Sequence, residues 1–458
     1  MSTSSNLYRS EIMSVHRSAN RGKLGGFWNK KFKLMTGITA GSAVLLSACG
    51  GTSVSSQPVS GTVAKPVDVV LWESHNGGPV GGAMSKLVDE FNVTHPTIHM
   101  SIDVTKASSK LLAAIAAGNP PVLAEISHYD GKYVKANTLV SWNSFMSGSS
   151  VVSQSNLYPA IWKNGEVGGQ HYRLEADAKI SEVFYNETLF NQAGITSAPT
   201  TWTQMATDAA KLKTLGVIPI GWKDSSAHIL PAFMSNGGTL LSGSNSVGHS
   251  VDFNNQAGQQ TFSYFANLYS NGDLTIDHGT TLRADLASSH MAMIDGTSAG
   301  YAKVLDAVGG KFKVGAFVEP GGSTGHAANL VQGLGFVLPK GHTHVQDEAA
   351  WTFVQWWFEP AQQVQWDELT GYAPETKAAT AALNSGSFLP THPGLAASIG
   401  AIESSFTVPR PVSDSYNEVQ ASLDAAFINA TTGKASVSSS LGTLESQGNS
   451  YMSGASEL

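Results

Sequence analysis

The stretch VDVVLWESHNGGPVGG, residues 67–82, joins a continuous apolar run to a polar, glycine-rich turn. An uninterrupted apolar run such as residues 67–72 is typical of a strand that is buried on both faces of a parallel sheet. Apolar residues then recur at helical spacing from Met84 to Phe91, and Pro96 ends the segment. The sequence therefore predicts a buried strand followed by an amphipathic helix.

The same order of elements continues downstream. Residues 98–104 alternate between apolar and polar positions, residues 109–118 have a helical pattern that ends in glycine, and residues 122–127 form another apolar run. A β-α-β-α-β series with right-handed crossovers predicts a parallel sheet with helices on its faces.

A second series of this kind begins near residue 181. Its strand and helix patterns are SEVFYN (181–186), WTQMATDAAKLKTLG (202–216), VIPIGW (217–222), MAMID (291–295) and LGFVLPKG (334–341). Two such series predict an α/β protein with two lobes.

Candidate ligand contacts lie where these strands are predicted to end, because ligands of such sheets bind beyond the carboxyl ends of the strands. His75, His128 and Asp130 follow strands of the first series. Trp222 ends a strand of the second series. A flat indole ring matches the apolar C–H face of a sugar, so Trp222 is the strongest single candidate.

The turn GTSAG, residues 296–300, matches the G-x-S-x-G pattern of a nucleophile elbow and has the required strand-turn-helix context. Asp367 and His392 follow it, and HNGG at 75–78 resembles an oxyanion loop, so a secreted esterase with Ser298 as nucleophile is one alternative. The pattern also arises by chance in a chain with 47 glycines. We expect Ser298 to bind a ligand rather than to attack one.

The N-terminal region predicts export and lipid anchoring. A basic segment precedes a short apolar run and the sequence LSAC at 46–49, which resembles a bacterial lipobox, so residues 1–48 are predicted to be a lipoprotein signal peptide. Cys49 is the one cysteine of the chain and the expected lipidation site, and residues 49–66 have the composition of a flexible tether. Only 13% of residues are charged and the net charge is −7, which argues against a nucleic-acid partner.

Several stretches, in order, resemble the extracellular solute-binding proteins of ABC importers, in the branch with the maltose-type and glycerol-3-phosphate-type binders. The stretches are VVLWESHNGGPVGGAMSKLVDEFNVTHP (69–96), VFYNETLFNQAGITSAPTTWTQM (183–205), MAMIDGTSAG (291–300), FVQWWFEPAQQVQWDELTGYAPETKAA (353–379) and YNEVQASLDAAFINATTGKASVSSSL (416–441). The resemblance implies a two-lobed periplasmic-binding-protein-like fold with a hinge and an interlobe cleft. It places residues 67–174 and 333–370 in an N-terminal lobe and residues 175–332 and 371–458 in a C-terminal lobe.

The resemblance also implies site residues. Trp222 matches a ligand-stacking tryptophan, Tyr372 a binding tyrosine at the hinge, and Gly333 a glycine whose backbone approaches the solute. The remaining matches are ligand-contacting hydroxyl groups and polar side chains: Thr297, Ser298, Asp177 and Lys179.

The expected function is therefore binding without catalysis. We expect a monomeric, lipid-anchored protein on the outer face of the cell membrane that captures a small solute and delivers it to an ABC permease. A sugar or related polyol is favoured over glycerol-3-phosphate or a glycerophosphodiester, because residues 415–427, which match the phosphate-clamping region of the glycerol-phosphate type, contain no arginine or lysine. No cofactor is expected, and His342 and His344 have no third ligand nearby in sequence that would indicate a metal site.

Overall fold

The protein is described by a computed structural model. The structure describes residues 65–75, 78–127, 131–242, 248, 250–411, 413 and 415–453. The predicted signal peptide, the tether, Cys49, His128 and Asp130 lie outside these residues. No helix within these ranges combines the length and the apolar composition that crossing a membrane requires.

The described residues form strands and helices in alternation. The strands are β1 (Val67–Glu73), β2 (Ile98–Val104), β3 (Leu123–Ile126), β4 (Leu139–Val140), β5 (Glu166–Val167), β6 (Gln170–His171), β7 (Arg173–Glu175), β8 (Ser181–Asn186), β9 (Ile218–Lys223), β10 (Leu274–Asp277), β11 (Met291–Thr297), β12 (Val314–Val318), β13 (Asn329–Leu330), β14 (Gly335–Pro339) and β15 (Thr407–Val408).

The α-helices are α1 (Gly78–Thr94), α2 (Ala107–Ala116), α3 (Gly131–Lys135), α4 (Asn143–Met146), α5 (Pro159–Lys163), α6 (Glu187–Gln192), α7 (Trp202–Lys213), α8 (Leu230–Ser235), α9 (Gln256–Ser270), α10 (Gly279–Ala287), α11 (Tyr301–Val308), α12 (His344–Trp357), α13 (Pro360–Thr370), α14 (Lys377–Ser385), α15 (Pro393–Glu403), α16 (Tyr416–Thr431) and α17 (Val437–Ser453). Short 3₁₀ helices are formed by Ser226–His228, Ser298–Gly300 and Leu389–Thr391.

The first sheet has the strand order β2-β1-β3-β14-β4, and β7 also pairs with β14. Strand β1 is parallel to β2 and β3, as the β-α-β-α-β pattern predicts. Strand β14 returns late in the chain and is antiparallel to β3, so this sheet is mixed rather than wholly parallel. The predicted apolar face of α1 is buried against the sheet through Met84, Leu87, Val88 and Phe91.

The second sheet has the strand order β10-β9-β11-β8-β12. Strand β9 lies parallel to both β10 and β11, whereas β8 is antiparallel to β11 and β12. A separate core of aromatic and aliphatic side chains packs around this sheet and helices α7, α9 and α16. Two sheets with two cores give the two-lobed α/β architecture that the sequence predicts.

The segments that join the two sheets lie side by side. Lys179 and Gln332 exchange backbone hydrogen bonds of 2.7 and 3.3 Å, and the Ala373 N–H donates to the Ala178 carbonyl (2.7 Å). The chain passes from β7 to β8 and from β12 to β14 through these segments. The exact lobe bounds stay predictions, and helix α14 packs against α13, which favours a third crossing beyond α14.

Candidate functional site

A buried ionic cluster lies at the carboxyl end of β1. The register pairs Trp72 with Ala124, so Glu73 at the end of β1 lies beside Glu125 of β3. His75 Nδ1 is 2.8 Å from Glu73 Oε1 and 3.4 Å from Glu125 Oε2. Its Nε2 is 2.9 Å from Asp177 Oδ2. The imidazole is 5% exposed and the three carboxylates are almost inaccessible, so these charges interact with one another rather than with water.

The charges of this cluster depend on one another. Burial by itself lowers the pKa of His75, but the charge of Glu125 and the contacts with Asp177, Glu125 and Glu73 outweigh it and raise the pKa to about 12. Burial also raises the pKa of Glu125, and the positive charge of His75 opposes that shift. The imidazole is therefore cationic near neutral pH and compensates part of the surrounding negative charge.

Tyr372 closes one side of this cluster. Its ring stacks on Trp366 at 5.7 Å and meets the His75 ring edge-on at 6.1 Å, and the residue is 6% exposed. Burial and the negative charges of Asp177, Glu125 and Glu73 raise the pKa of the Tyr372 hydroxyl well above its ordinary value. The hydroxyl thus stays protonated and can donate a hydrogen bond.

The joining segments hold Asp177 and Gly333 together. The Leu334 N–H donates to Asp177 Oδ1 (3.0 Å), which fixes the carboxylate whose other oxygen contacts His75. A side chain at Gly333 would place its Cβ 1.9 Å from the Asp177 carbonyl oxygen. Glycine at this position is therefore explained by close contact with Asp177.

Lys179 supplies a positive charge near the cluster. It is partly buried and forms no ion pair within the part of the chain that the structure describes. Burial lowers its pKa, as do the positive charges of Arg410, Lys223 and Lys303, whereas Asp177 raises it. A bound anion near Lys179 would offset these positive charges and favour the charged form of the lysine.

A second polar group belongs to the other sheet. His228 Nδ1 is 2.7 Å from Asp295 Oδ2, and Asp295 Oδ1 accepts the Lys223 N–H at 2.7 Å. Burial and the charge of Asp295 raise the pKa of Glu319 well above its ordinary value. These side chains follow or flank the ends of β9, β11 and β12.

Trp222 is not at a binding surface in this structure. Its ring is 0% exposed and packs against Trp202 at 5.9 Å and Phe265 at 5.0 Å, within the core of the second sheet. Its Nε1–H donates to the His228 carbonyl. This placement corrects the expectation that Trp222 stacks on a ligand, because helices α7 and α9 cover its ring. In this structure Trp222 packs within the core.

Ser298 connects the second sheet to a joining segment. Its N–H donates to the Ile180 carbonyl (2.9 Å), and its Oγ accepts the Ile180 N–H (3.3 Å). Ser298 is 1% exposed, whereas its neighbour Thr297 is partly buried. Ser298 begins a three-residue 3₁₀ turn that leads into α11.

The esterase alternative finds no support in this geometry. Among the described residues, no histidine or carboxylate is hydrogen-bonded to Ser298. His392 instead stacks on Phe388 at 3.5 Å, and Asp367 lies buried near the end of α13. The three side chains do not form a triad.

We expect Ser298→Ala to lower the free energy of unfolding by about 1–3 kcal/mol, because the buried Ile180 N–H loses its acceptor. Urea unfolding of both proteins measures the difference. Ser405→Ala, at an exposed position, is the matched control. A variant as stable as the parent would contradict this role, and loss of a pre-existing esterase activity would restore the nucleophile interpretation.

The structure brings together His75, Asp177, Gly333, Tyr372 and, nearby, Lys179. It adds Glu73, Glu125 and Trp366, which the sequence analysis did not select. A glutamate inside the apolar run VLAEIS was the available signal for Glu125, since an isolated charge in a buried strand needs a partner.

Comparison with known proteins agrees with this architecture. Residues 86–395, more than half of the chain, match the family described as bacterial extracellular solute-binding protein. The chain belongs to this family. It is a solute-binding protein of an ABC importer.

This solute-binding protein is similar to relatives with different named solutes. The sn-glycerol-3-phosphate-binding periplasmic protein of Pectobacterium atrosepticum is 22% identical over 357 residues, which cover 71% of this chain and 77% of the relative. The cyclic alpha-maltosyl-1,6-maltose binding protein of Arthrobacter globiformis has a TM-score of 0.72 at 20% identity, covering 85% of this chain and 99% of that one. The structure of UgpB from Mycobacterium tuberculosis with glycerophosphocholine has a TM-score of 0.72 at 16% identity, covering 85% and 98%. At these identities the structural matches establish the fold and leave the solute open.

Proposed function

We propose that this protein captures a neutral carbohydrate or a related polyol without chemical turnover. The observation that carries the proposal is the acidic character of the site. Three carboxylates, Glu73, Glu125 and Asp177, surround one imidazolium, and Lys179 is the nearby ammonium. The negative charge of this cluster would repel a phosphate dianion, whereas a neutral solute avoids that repulsion.

Aromatic side chains support the same solute class. Tyr372 lies beside the carboxylates and stacks on the buried ring of Trp366, and we propose the Tyr372 ring as the aromatic contact for the apolar face of a sugar. The named solutes of several structural neighbours are saccharides, including the Arthrobacter globiformis protein. Because these neighbours share the fold of this protein, their named solutes support a carbohydrate as its solute.

Glycerol-3-phosphate or a glycerophosphodiester is the second candidate, and Lys179 favours it. Its partly buried ammonium lies among other positive charges, and an anionic group of the solute would stabilise that ammonium. The curated relative from Pectobacterium atrosepticum is named for glycerol-3-phosphate. The two candidates therefore make opposite predictions for Lys179.

Calorimetric titration of the purified protein with di- and oligosaccharides, glycerol-3-phosphate and glycerophosphocholine separates them. We expect saccharide binding that changes less than about threefold in Lys179→Gln and is insensitive to salt. Lys434→Gln, at an exposed position, is the control. Binding of a phosphate ester alone, weakened by salt and lost in Lys179→Gln, would overturn the carbohydrate proposal.

Closure of the two lobes around the solute is the proposed transport step. In this scheme the two lobes of the monomer move relative to each other about the joining segments, and the closed form is presented to the permease. Differential affinity of the solute for the closed form drives the motion.

We also propose that Cys49 is lipidated and anchors the protein outside the cytoplasm. The basic segment, the short apolar run and LSAC support this. Cys49→Ser is expected to move the protein from the membrane fraction to the soluble fraction and to abolish labelling by a fatty-acid analogue. Ser47→Ala in the same segment serves as control, and unchanged fractionation of Cys49→Ser would refute the anchor.

A further inference from the structure

We propose that Glu73, His75 and Glu125 bind one divalent metal ion, with Zn²⁺ as the best probe, and that Asp177 orients the histidine ligand. The inference rests on the local geometry of the cluster and does not depend on the identity of the solute. All four side chains belong to residues that the structure describes.

The spacing of the donor atoms fits a shared ion. One ligand atom from each of Glu73, His75 and Glu125 lies within 4.8 Å of the others. His75 Nδ1 lies 2.8 Å from Glu73 Oε1 and 3.4 Å from Glu125 Oε2. Zinc bonds to nitrogen and oxygen of about 2.0–2.2 Å separate neighbouring ligands by roughly 2.8–3.6 Å in tetrahedral or octahedral sites.

Buried polar atoms without hydrogen-bond partners are a second, independent observation. His75 Nδ1 forms no hydrogen bond with a described residue, although Glu73 Oε1 is only 2.8 Å away. Glu73 Oε2 and Glu125 Oε1 are also buried without a described hydrogen-bond partner. Two buried carboxylate oxygens without hydrogen-bond partners are costly, and one cation bound by both carboxylates would compensate them together.

The contacts around these three side chains match those of a metal site. His75 Nε2 is 2.9 Å from Asp177 Oδ2, which is the carboxylate–histidine contact that commonly fixes the tautomer of a metal-binding histidine. The His75 N–H donates to Glu73 Oε1 (2.6 Å), and the Ser74 N–H donates to Glu125 Oε2 (3.2 Å). Both carboxylates are thus oriented by backbone groups before any ion binds.

The charge of the cluster also favours a cation. Three carboxylates lie around the imidazole. A divalent ion bound at Nδ1 would neutralise part of their negative charge. One imidazole nitrogen with two carboxylate oxygens is a donor set that suits Zn²⁺ and Mn²⁺.

Calorimetric titration of the chelator-treated, purified full chain with Zn²⁺ alone tests the site. The expected result is one saturable site per chain, with affinity reduced at least about 100-fold in both Glu125→Gln and Glu73→Gln. Glu182→Gln, another buried glutamate with an unpartnered oxygen, is the matched control and is expected to bind as the parent does. Circular dichroism selects the folded variants.

Asp177→Asn tests the positioning role. We expect Zn²⁺ affinity to fall about 10- to 100-fold and the visible absorption of bound Co²⁺ to shift, since the ligands remain but the histidine loses its partner. The proposal is overturned by the absence of saturable Zn²⁺ binding in the parent, or by equal affinities in the parent, Glu125→Gln and Glu73→Gln.

Discussion

The metal-free His75→Ala protein is expected to be less stable than the parent by about 3–5 kcal/mol near neutral pH. The substitution removes the cation that lies 2.8 Å from Glu73 and 2.9 Å from Asp177. Glu73, Glu125 and Asp177 are between 0 and 1% exposed, so water cannot replace the lost charge. Chemical denaturation in the presence of chelator measures the loss.

The pH dependence identifies the electrostatic part of this loss. Burial raises the pKa of Glu125 and the positive charge of His75 opposes that rise, so the folded-state pKa of Glu125 is expected to rise further in His75→Ala. A carboxyl group with a raised folded pKa destabilises the protein as pH increases above the unfolded value of about 4. The loss of stability in His75→Ala should therefore be larger near pH 7 than near pH 4, where Glu125 can protonate.

His99→Ala provides the control for this experiment. His99 is exposed on β2, and its replacement is expected to change stability by less than about 0.5 kcal/mol. A His75→Ala loss of the same size near pH 4 and near pH 7 would show that the imidazole acts only by packing.

Gly333→Ala is expected to reduce both stability and solute affinity. The added Cβ would lie 1.9 Å from the Asp177 carbonyl oxygen and 2.7 Å from Asp177 Oδ1. Relief of that clash must move backbone in a joining segment, at a cost of about 1–3 kcal/mol or more. The shift also displaces the carboxylate that holds His75, so solute affinity should fall at least about tenfold.

Gly442→Ala in helix α17 is the matched control, since a Cβ there meets nothing within 4 Å. It should stabilise the protein by about 0.5–1 kcal/mol, because alanine loses less backbone entropy than glycine in a helix. Thermal unfolding and calorimetric titration report the two effects separately. A Gly333→Ala protein with parental stability and affinity would contradict the predicted close contact.

Local sequence patterns predicted the repeating elements correctly. The apolar run at residues 67–72 became part of β1, and the helical spacing after it became the buried face of α1. Strand β11 also follows its predicted run and extends to Thr297. These features depend on periodicity over a few residues, which a single segment contains in full.

Trp222 shows where that reasoning failed. The sequence placed it at the end of a strand, which is correct for β9, and the resemblance suggested an accessible ring. Its exposure depends on Trp202 of α7 and Phe265 of α9, which lie 20 and more residues away and cover the ring. No pattern around residue 222 contains that information.

By itself, the sequence determined the α/β class, the order of its elements and the resemblance to solute-binding proteins, and it predicted a ligand contact at the strand end at His75. Only the tertiary structure decided which charges meet there. Asp177 is 102 residues from His75 in sequence, and Glu125 reaches it only because β3 pairs with β1 in one particular register. The physical reason is that secondary structure follows from local side-chain periodicity, whereas buried ionic contacts depend on strand pairing and chain crossings between distant segments.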